Sequence, residues 1–391
     1  MTDTGARRPP GPLLFVTPRY PPFVGGTEVH AAAVARRLRS RGVDVRVLTT
    51  DTSADQARDT VVDGVPVRVI PARPKGGDLY HARTLDAEIA AAAPGAIHVQ
   101  GYHTLLAASA MRSASRRGIP YVVTFHSGGH SSRLRNLLRP VHQRLLTPSF
   151  RRAAALVAVS EFEARLFASR TGLPRHRIEV IPSGSDLTLV PRTTVPDRTV
   201  ITSMGRLERY KGHQTLLEAL PHLLARRPDT EVRIIGSGSY ERRLRRLVTK
   251  LDLEAHVRFL SVPSDERERL VGLLQESSLV TLLSAYESQG LAAFEAIAVD
   301  VPVMVLESTA LAELSEAGLA AAVPPNTSPA GLASLIDAEL RKPLVPRSTD
   351  PPGWDRTVGA LFDLYERTTP IRAGDPEALA VESDDLGSEG R

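Results

Sequence analysis

The sequence predicts an α/β protein built from two doubly wound, Rossmann-like domains that face each other across an interdomain cleft. Three observations point there. Short, continuous apolar runs alternate with longer Ala-, Arg- and Leu-rich helical patterns, as expected for parallel strands covered on both faces by helices. The alternation breaks once, near residues 182–199, where "PSGSDLTLVPRTTVPDRTV" carries three prolines and no periodicity. It then restarts at similar length, and 391 residues are too many for one core.

Taken in order, the first half offers buried strands at 13–17 ("LLFVT"), 43–48 ("VDVRVL"), 96–100, 121–125 and 155–160. The first is followed by "TEVHAAAVARRLRSRG", a helix with Thr27 as N-cap and Gly42 as C-cap. "VVDGVPVRVI" (61–70) reads as a hairpin turning at Asp63-Gly64. The second half offers strands at 199–205, 230–236, 256–261, 279–283, 301–306 and 320–323, then an amphipathic helix at 352–368. The expected boundaries are a disordered start (1–11), a first domain (12–185), a linker (186–198) and a second domain (199–350). A C-terminal helix (351–369) and a disordered acidic tail (370–391) complete the chain.

Composition removes several classes of function. There is no Cys, so neither a disulfide framework nor a thiolate metal site is available. No H-E-x-x-H motif occurs, and no metal or cofactor is expected. The net charge of +5 is carried almost wholly by Arg, and nucleic acid is not an expected partner. Only four Lys occur, at 75, 211, 250 and 342, which makes each one informative. No apolar run approaches the ~18 residues of a membrane span. The apolar part of "ARRPPGPLLFV" is too short for a signal-peptide core, so a cytoplasmic location is expected.

Open α/β sheets bind ligands beyond the carboxyl ends of their strands, so residues just after strands are the candidates. "VITSMGRLERYKGHQTLLEAL" places Arg206 directly after a strand and Lys211 at the start of the next helix. A fork-shaped and a point-like cation, backed by a helix N-terminus, suit a diphosphate. "IIGSGSYERRL" holds Gly236 and Gly238 in what reads as a tight strand-to-helix turn. "SAYESQGLAAFEAIA" puts Glu287 on a loop and Glu295 about a turn and a half inside a helix, both amid apolar residues. Two carboxylates flanking an anion site suit sugar, diphosphate and ribose in sequence. The plainer reading makes Glu287 a dipole partner and Glu295 a salt-bridge member. Ser288, Gln289 and Gly290 carry backbone N–H groups at the helix start, suited to phosphate oxygens, and Leu291 belongs to the same donor-facing set.

With these residues the chain resembles the retaining glycosyltransferases of family 4, which have the GT-B fold. Glu287 and Glu295 match that family's motif of two glutamates separated by seven residues, and Arg206 and Lys211 match its diphosphate-binding pair. "PPFVGGTE" matches its Pro-Pro…Gly-Gly loop, with Gly25 and Gly26 facing the donor. "VAVSEFEARLF" and "EVIPSGSD" match segments before the linker, and the likeness spans roughly residues 12–368. His126, at the carboxyl end of "YVVTF", matches the family histidine that contacts the donor sugar and the acceptor end of the cleft; His103 and His130 are further candidates. "SGGHSS", around His130, is expected to order when substrate binds.

The resemblance implies a UDP- or GDP-linked sugar in the second domain and a hydroxyl acceptor in the first: a polysaccharide, a lipid-linked sugar or a small molecule. It implies Glu295 on the ribose, Glu287 on the transferred sugar, and Arg206 and Lys211 on the leaving diphosphate. The base would lie near residues 259–262, with Val262 among its contacts. It also implies same-face attack, in which the leaving phosphate takes the acceptor's proton and no metal is required. Four places depart from the pattern: Ser183 stands for an Asn, Gln289 for an aromatic residue, Asp300 for a Gly, and "ESTALAEL" (307–314) lacks a Gly pair. The basic stretch "RLRNLLRPVHQRLLTPSFRR", interrupted by Pro140 and Pro148, suits an anionic membrane surface or lipid-linked acceptor. Two rivals remain: a nucleotide-sugar epimerase of similar architecture and a non-enzymatic sugar-binding protein.

Overall fold

The structure, a computed structural model, describes residues 11–23, 25–74, 80–127, 133–185, 198–263, 266–344 and 353–374, and of 133–136 the backbone only. The expected linker, apart from 198, and most of the expected disordered ends lie outside the described residues, as does His130.

In chain order the first half comprises β1 (Leu13–Thr17), α1 (Gly26–Arg39), β2 (Val45–Asp51), β3 (Arg58–Val62), β4 (Val65–Pro71), α2 (Leu85–Ala92), β5 (Ala96–Gln100), α3 (Leu105–Arg117), β6 (Tyr121–Thr124), α4 (Arg133–Arg152), β7 (Ala155–Ala158), α5 (Glu161–Thr171) and β8 (Ile178–Val180). The second half comprises β9 (Val200–Met204), α6 (His213–Leu224), β10 (Glu231–Ile235), α7 (Glu241–Lys250), β11 (Val257–Leu260), α8 (Arg267–Gln275), β12 (Leu279–Leu282), α9 (Leu291–Ala298), β13 (Val303–Leu306), α10 (Leu311–Glu316), β14 (Ala321–Val323), α11 (Pro329–Arg341) and α12 (Trp354–Thr368).

The strands form two sheets, ordered β3-β4-β2-β1-β5-β6-β7-β8 and β11-β10-β9-β12-β13-β14. All pairings are parallel except β3 with β4, which turns at Asp63 (φ 50°) and Gly64 (φ 73°) as the hairpin pattern predicts. Central strands such as β1, β5, β9 and β10 are buried throughout, because helices cover both faces. Each sheet separates two apolar clusters, so both halves are doubly wound and the fold is GT-B, as expected.

Helix α12 crosses back to the first sheet. Trp354, Val358, Leu361, Leu364 and Tyr365 share one apolar cluster with Leu13, Phe15, Val34 and Leu38. The chain beyond it stays packed through Gly374, which corrects the tail expected from 370. Ile371 is buried in the same cluster, and the Gly374 N–H donates to the Gly42 carbonyl at 2.5 Å.

Three other expectations change. Thr27 lies inside α1; Gly25, in extended conformation, is the N-cap, and its carbonyl accepts from Val29 N at 2.9 Å. Ser40 rather than Gly42 caps the other end, and Gly42 lies in the turn beyond with φ 81°. Pro140 and Pro148 sit within a continuous α4. Strand β8 was not foreseen, because three residues are too few to show alternation. Among the described residues no helix is long and apolar enough to cross a membrane.

Candidate active site

The carboxyl ends of the two sheets meet. Residues following β6, β7 and β8 touch residues following β12 and β13, so the post-strand loops converge in one cleft.

On the second domain's side, the turn after β9 ends in a single 3₁₀ turn, Arg209–Lys211, and Gly212 then opens α6. Gly212 has φ 79°, and a Cβ there would lie 2.0 Å from the Leu283 carbonyl oxygen at the end of β12. Only glycine allows that approach. It presses Lys211 against the loop after β12, where Lys211 Nζ pairs with Glu287 Oε1 at 2.5 Å. Both side chains are about 15% exposed, so the pair is largely withdrawn from water. Ser284 Oγ donates to the same Glu287 oxygen at 2.9 Å. The Glu287 N–H donates to Thr309 Oγ1 at 2.9 Å, and Ala285 N donates to the Tyr210 carbonyl at 2.7 Å. Two donors therefore hold the carboxylate, and two backbone hydrogen bonds hold the loop that carries it.

Tyr210 links the two cations. Arg206 Nη2 donates to its hydroxyl at 2.8 Å, and Lys211 Nζ lies 5.6 Å from its ring. Arg206 is otherwise exposed. His213 braces the turn from beneath, joining Ser203 Oγ (2.8 Å) to the Arg206 carbonyl (3.3 Å). Burial lowers its pKa from 6.5 to about 4, so it is neutral at pH 7. Glu295 is half-buried and pairs with Arg267 of α8 at 2.8 Å, the plainer of its two readings. Among the described residues no contact joins Glu295 to Arg206, Lys211 or Glu287. Val262 follows β11 at the same sheet edge, and Leu291 is the first residue of α9.

The Gln289 side chain spans the cleft to Ser183 and leaves its backbone N–H, the group expected to face phosphate, out of that contact. Both ends of its amide are taken by Ser183: Oε1 accepts from the Ser183 N–H and Nε2 donates to the Ser183 carbonyl, each at 2.8 Å. Its neighbour Gly290 has φ 83° and sits where a Cβ would meet Leu311 Cδ2 at 2.7 Å. The "ESTALAEL" segment thus touches this loop on two sides, through Thr309 and Leu311.

From the first domain, Gly25 and Gly26 lie at the start of α1, beyond the carboxyl end of β1. His126 follows β6 with φ 46° and is almost buried. Its Nε2 donates to Gln100 Oε1 at 2.8 Å, and its ring lies 4.5 Å from that of His30. Burial, reinforced by neighbouring histidines, holds its pKa well below 6.5. A neutral ring that gives Nε2–H to Gln100 keeps Nδ1 as an acceptor for a hydroxyl. His103 stacks edge-on against Tyr102 at 4.7 Å.

Sequence reasoning missed two further contacts across the cleft. Tyr286 Oη donates to Ser127 Oγ at 2.8 Å, and Ser127 Oγ donates in turn to Glu163 Oε1. Glu163 is fully buried and also accepts from Ser127 N (2.6 Å) and Val159 N (2.8 Å). Glu313 of α10 accepts from Phe162 N at the start of α5, a carboxylate at a helix N-terminus of the other domain. No local pattern announces these pairs; the only signal was their place just after strands. Among the described residues no group of three or more acidic or His side chains is placed to hold a metal ion.

Comparison with known proteins agrees with this architecture. Residues 24–189 match the family model described as Glycosyltransferase Family 4, and residues 190–349 the model described as Glycosyl transferases group 1. The chain is 28% identical to a D-inositol 3-phosphate glycosyltransferase of Nocardiopsis dassonvillei, over 89% of this chain and 91% of that protein. It is 29% identical to the protein of the same name from Jonesia denitrificans, over 88% and 91%. Its fold matches Anabaena HepE, solved with UDP, with a TM-score of 0.66 at 19% identity, over 97% of this chain and 100% of that one.

Proposed function

We propose, from the premise that this chain belongs to the family 4 glycosyltransferases, that it moves a sugar from a nucleoside-diphosphate sugar to a hydroxyl acceptor with retention of configuration. The observation that carries the reading is the Lys211–Glu287 pair at the carboxyl end of the second sheet, with Arg206 one tyrosine away. A cation held against a carboxylate in a largely dry cleft is the charge pattern that a sugar diphosphate needs. On binding, Lys211 turns to the diphosphate with Arg206, and Glu287 turns to the hydroxyls of the transferred sugar. The backbone at Ser288–Leu291 adds the N-terminal potential of α9, with Gly25 and Gly26 facing it from α1. Glu295 reaches the ribose by leaving Arg267, and Val262 borders the base.

The acceptor lies toward His126 and Ser127. Its hydroxyl attacks the anomeric carbon on the face that the diphosphate leaves. The new carbon–oxygen bond forms as the bond to phosphate oxygen breaks, and the acceptor's proton passes to that phosphate oxygen. His126 Nδ1 accepts from a sugar hydroxyl and orients it. The relatives' name supports a hydroxyl acceptor, and the reading includes a cytoplasmic location. Neutralisation of the leaving group falls to Lys211, Arg206 and the helix end, so turnover should persist in EDTA. Abolition by chelation, with recovery on adding magnesium or manganese, would overturn that part.

The deciding experiment is a thermal-shift screen of nucleotide sugars, starting with UDP-sugars because HepE was solved with UDP. Hits are then incubated with polyol-phosphate, saccharide and lipid-linked acceptors. Release of nucleoside diphosphate that depends on acceptor, with an α-linked product from an α-linked donor, supports the proposal. An epimer formed from donor alone would point to the epimerase instead.

A further inference from the structure

Among the described residues, seven large apolar side chains are exposed, and four of them lie on one helix, α4: Leu137 (74% exposed), Leu138 (53%), Val141 (54%) and Leu145 (73%). Leu137, Val141 and Leu145 are spaced by four, so they form a row along one helix face. The opposite face is the packed one, with Gln143, Leu146, Thr147 and Phe150 buried. The helix holds six Arg and no acidic residue. Arg144, Arg151 and Arg152 are exposed beside the apolar row, and none of the three meets a carboxylate among the described residues. Among the described residues none covers this face, and the proposed transfer reaction does not need it.

We infer that α4 is a docking surface for an anionic lipid bilayer. A helix with an outward apolar row and flanking guanidiniums fits the boundary between headgroups and acyl chains: the leucines enter and the arginines meet phosphates. A soluble anion would leave the leucines unexplained. A second copy meeting the same face by two-fold symmetry would bring Arg144, Arg151 and Arg152 against themselves. The helix also borders the cleft, since Arg139 lies 5.4 Å from the Tyr286 ring beside Glu287. A bound bilayer would therefore lie close to the acceptor side. The inference does not depend on the transfer reading and is tested without donor.

The test is flotation of the full chain with vesicles of phosphatidylcholine, alone or with phosphatidylglycerol. The chain should float only with the anionic vesicles, and less as salt rises. Leu137→Ser with Leu145→Ser should leave the unfolding temperature unchanged, because both side chains are exposed, while partitioning falls at least about tenfold. Arg144→Gln, Arg151→Gln and Arg152→Gln together should lower it roughly a hundredfold, at roughly fivefold for each charge near the surface. No binding to anionic vesicles would overturn the inference. So would binding that is indifferent to the leucines, or a dimer in solution that the double serine variant dissociates.

Discussion

Lys211 and Glu287 hold each other in a setting where neither is well hydrated, so each carries a double duty. Removing one leaves the other poorly solvated, at roughly 1–3 kcal/mol. Removing it in the proposed reaction also takes away a charge that faces the developing diphosphate. Lys211→Met is therefore expected to lower the unfolding temperature by a few degrees but turnover by at least about a hundredfold. Parallel losses of the two, explained wholly by unfolding, would make the pair structural. A second residue-scale prediction concerns Glu163. Burial pushes its pKa from 4.5 up to about 7, against the hydrogen bonds from Ser127 and Val159. The folded protein thus holds this proton more tightly than the unfolded chain. The stabilisation is complete below pH 4.5 and is lost as pH rises through about 7, by about 3 kcal/mol in all. Glu163→Gln removes that slope. The check is the change in unfolding free energy between about pH 5 and about pH 8, compared between the two proteins so that other titrating groups cancel. An equal change in both would show that Glu163 is ionised throughout. Lys211 and Glu287 were legible in the sequence because a rare lysine and a carboxylate in an apolar stretch each stand out. Glu163 was not, since "EFEARLF" reads as an ordinary helix face until the fold buries it against Ser127.

At the scale of elements, the site depends on how closely α6 approaches β12. Gly212 is the contact point: its φ of 79° and the 2.0 Å approach of the Leu283 oxygen leave no room for a side chain. Gly212→Ala should destabilise the second domain by at least about 2–4 kcal/mol, from left-handed strain plus displacement of α6. Urea unfolding measures it, and a change below about 0.5 kcal/mol would mean that α6 yields freely to the added methyl group. Helix α12 offers a comparable test on the other domain. Tyr365 Oη meets His98 Nδ1 at 2.6 Å in the core beneath β5 and β1. Tyr365→Phe leaves that nitrogen to Gln100 alone and should cost about 1–3 kcal/mol of first-domain stability, although α12 follows the second domain in sequence. The strands were legible because continuous apolar runs have only one home in an α/β protein. The destination of α12 was not: an amphipathic helix declares that one face is covered, but not which sheet covers it.

For the whole molecule, hydrogen bonds among the described residues tie the two domains at three places: Tyr286 to Ser127, Glu313 to Phe162, and Gln289 to Ser183. Two of these begin in the loop that carries Glu287, so the position of the proposed sugar-binding carboxylate is coupled to the closeness of the lobes. The sequence showed Ser183 and Gln289 as separate departures from a family pattern. The structure makes them one contact, a side-chain amide paired with a backbone amide across the cleft, and only three-dimensional proximity reveals that. If donor binding draws on Gly25 and Gly26 from one side and on Lys211 and Arg206 from the other, affinity depends on the fraction of molecules with the lobes together. Tyr286→Phe removes one tie of about 1 kcal/mol and no group assigned to the donor. It should weaken nucleoside-diphosphate binding about fivefold, measured by titration calorimetry, with the unfolding temperature nearly unchanged. Gln289→Ala, which removes two hydrogen bonds at the same loop, should weaken it further. Undiminished affinity in both variants would mean that the donor is held by the second domain alone, and that the ties across the cleft only hold the free protein together.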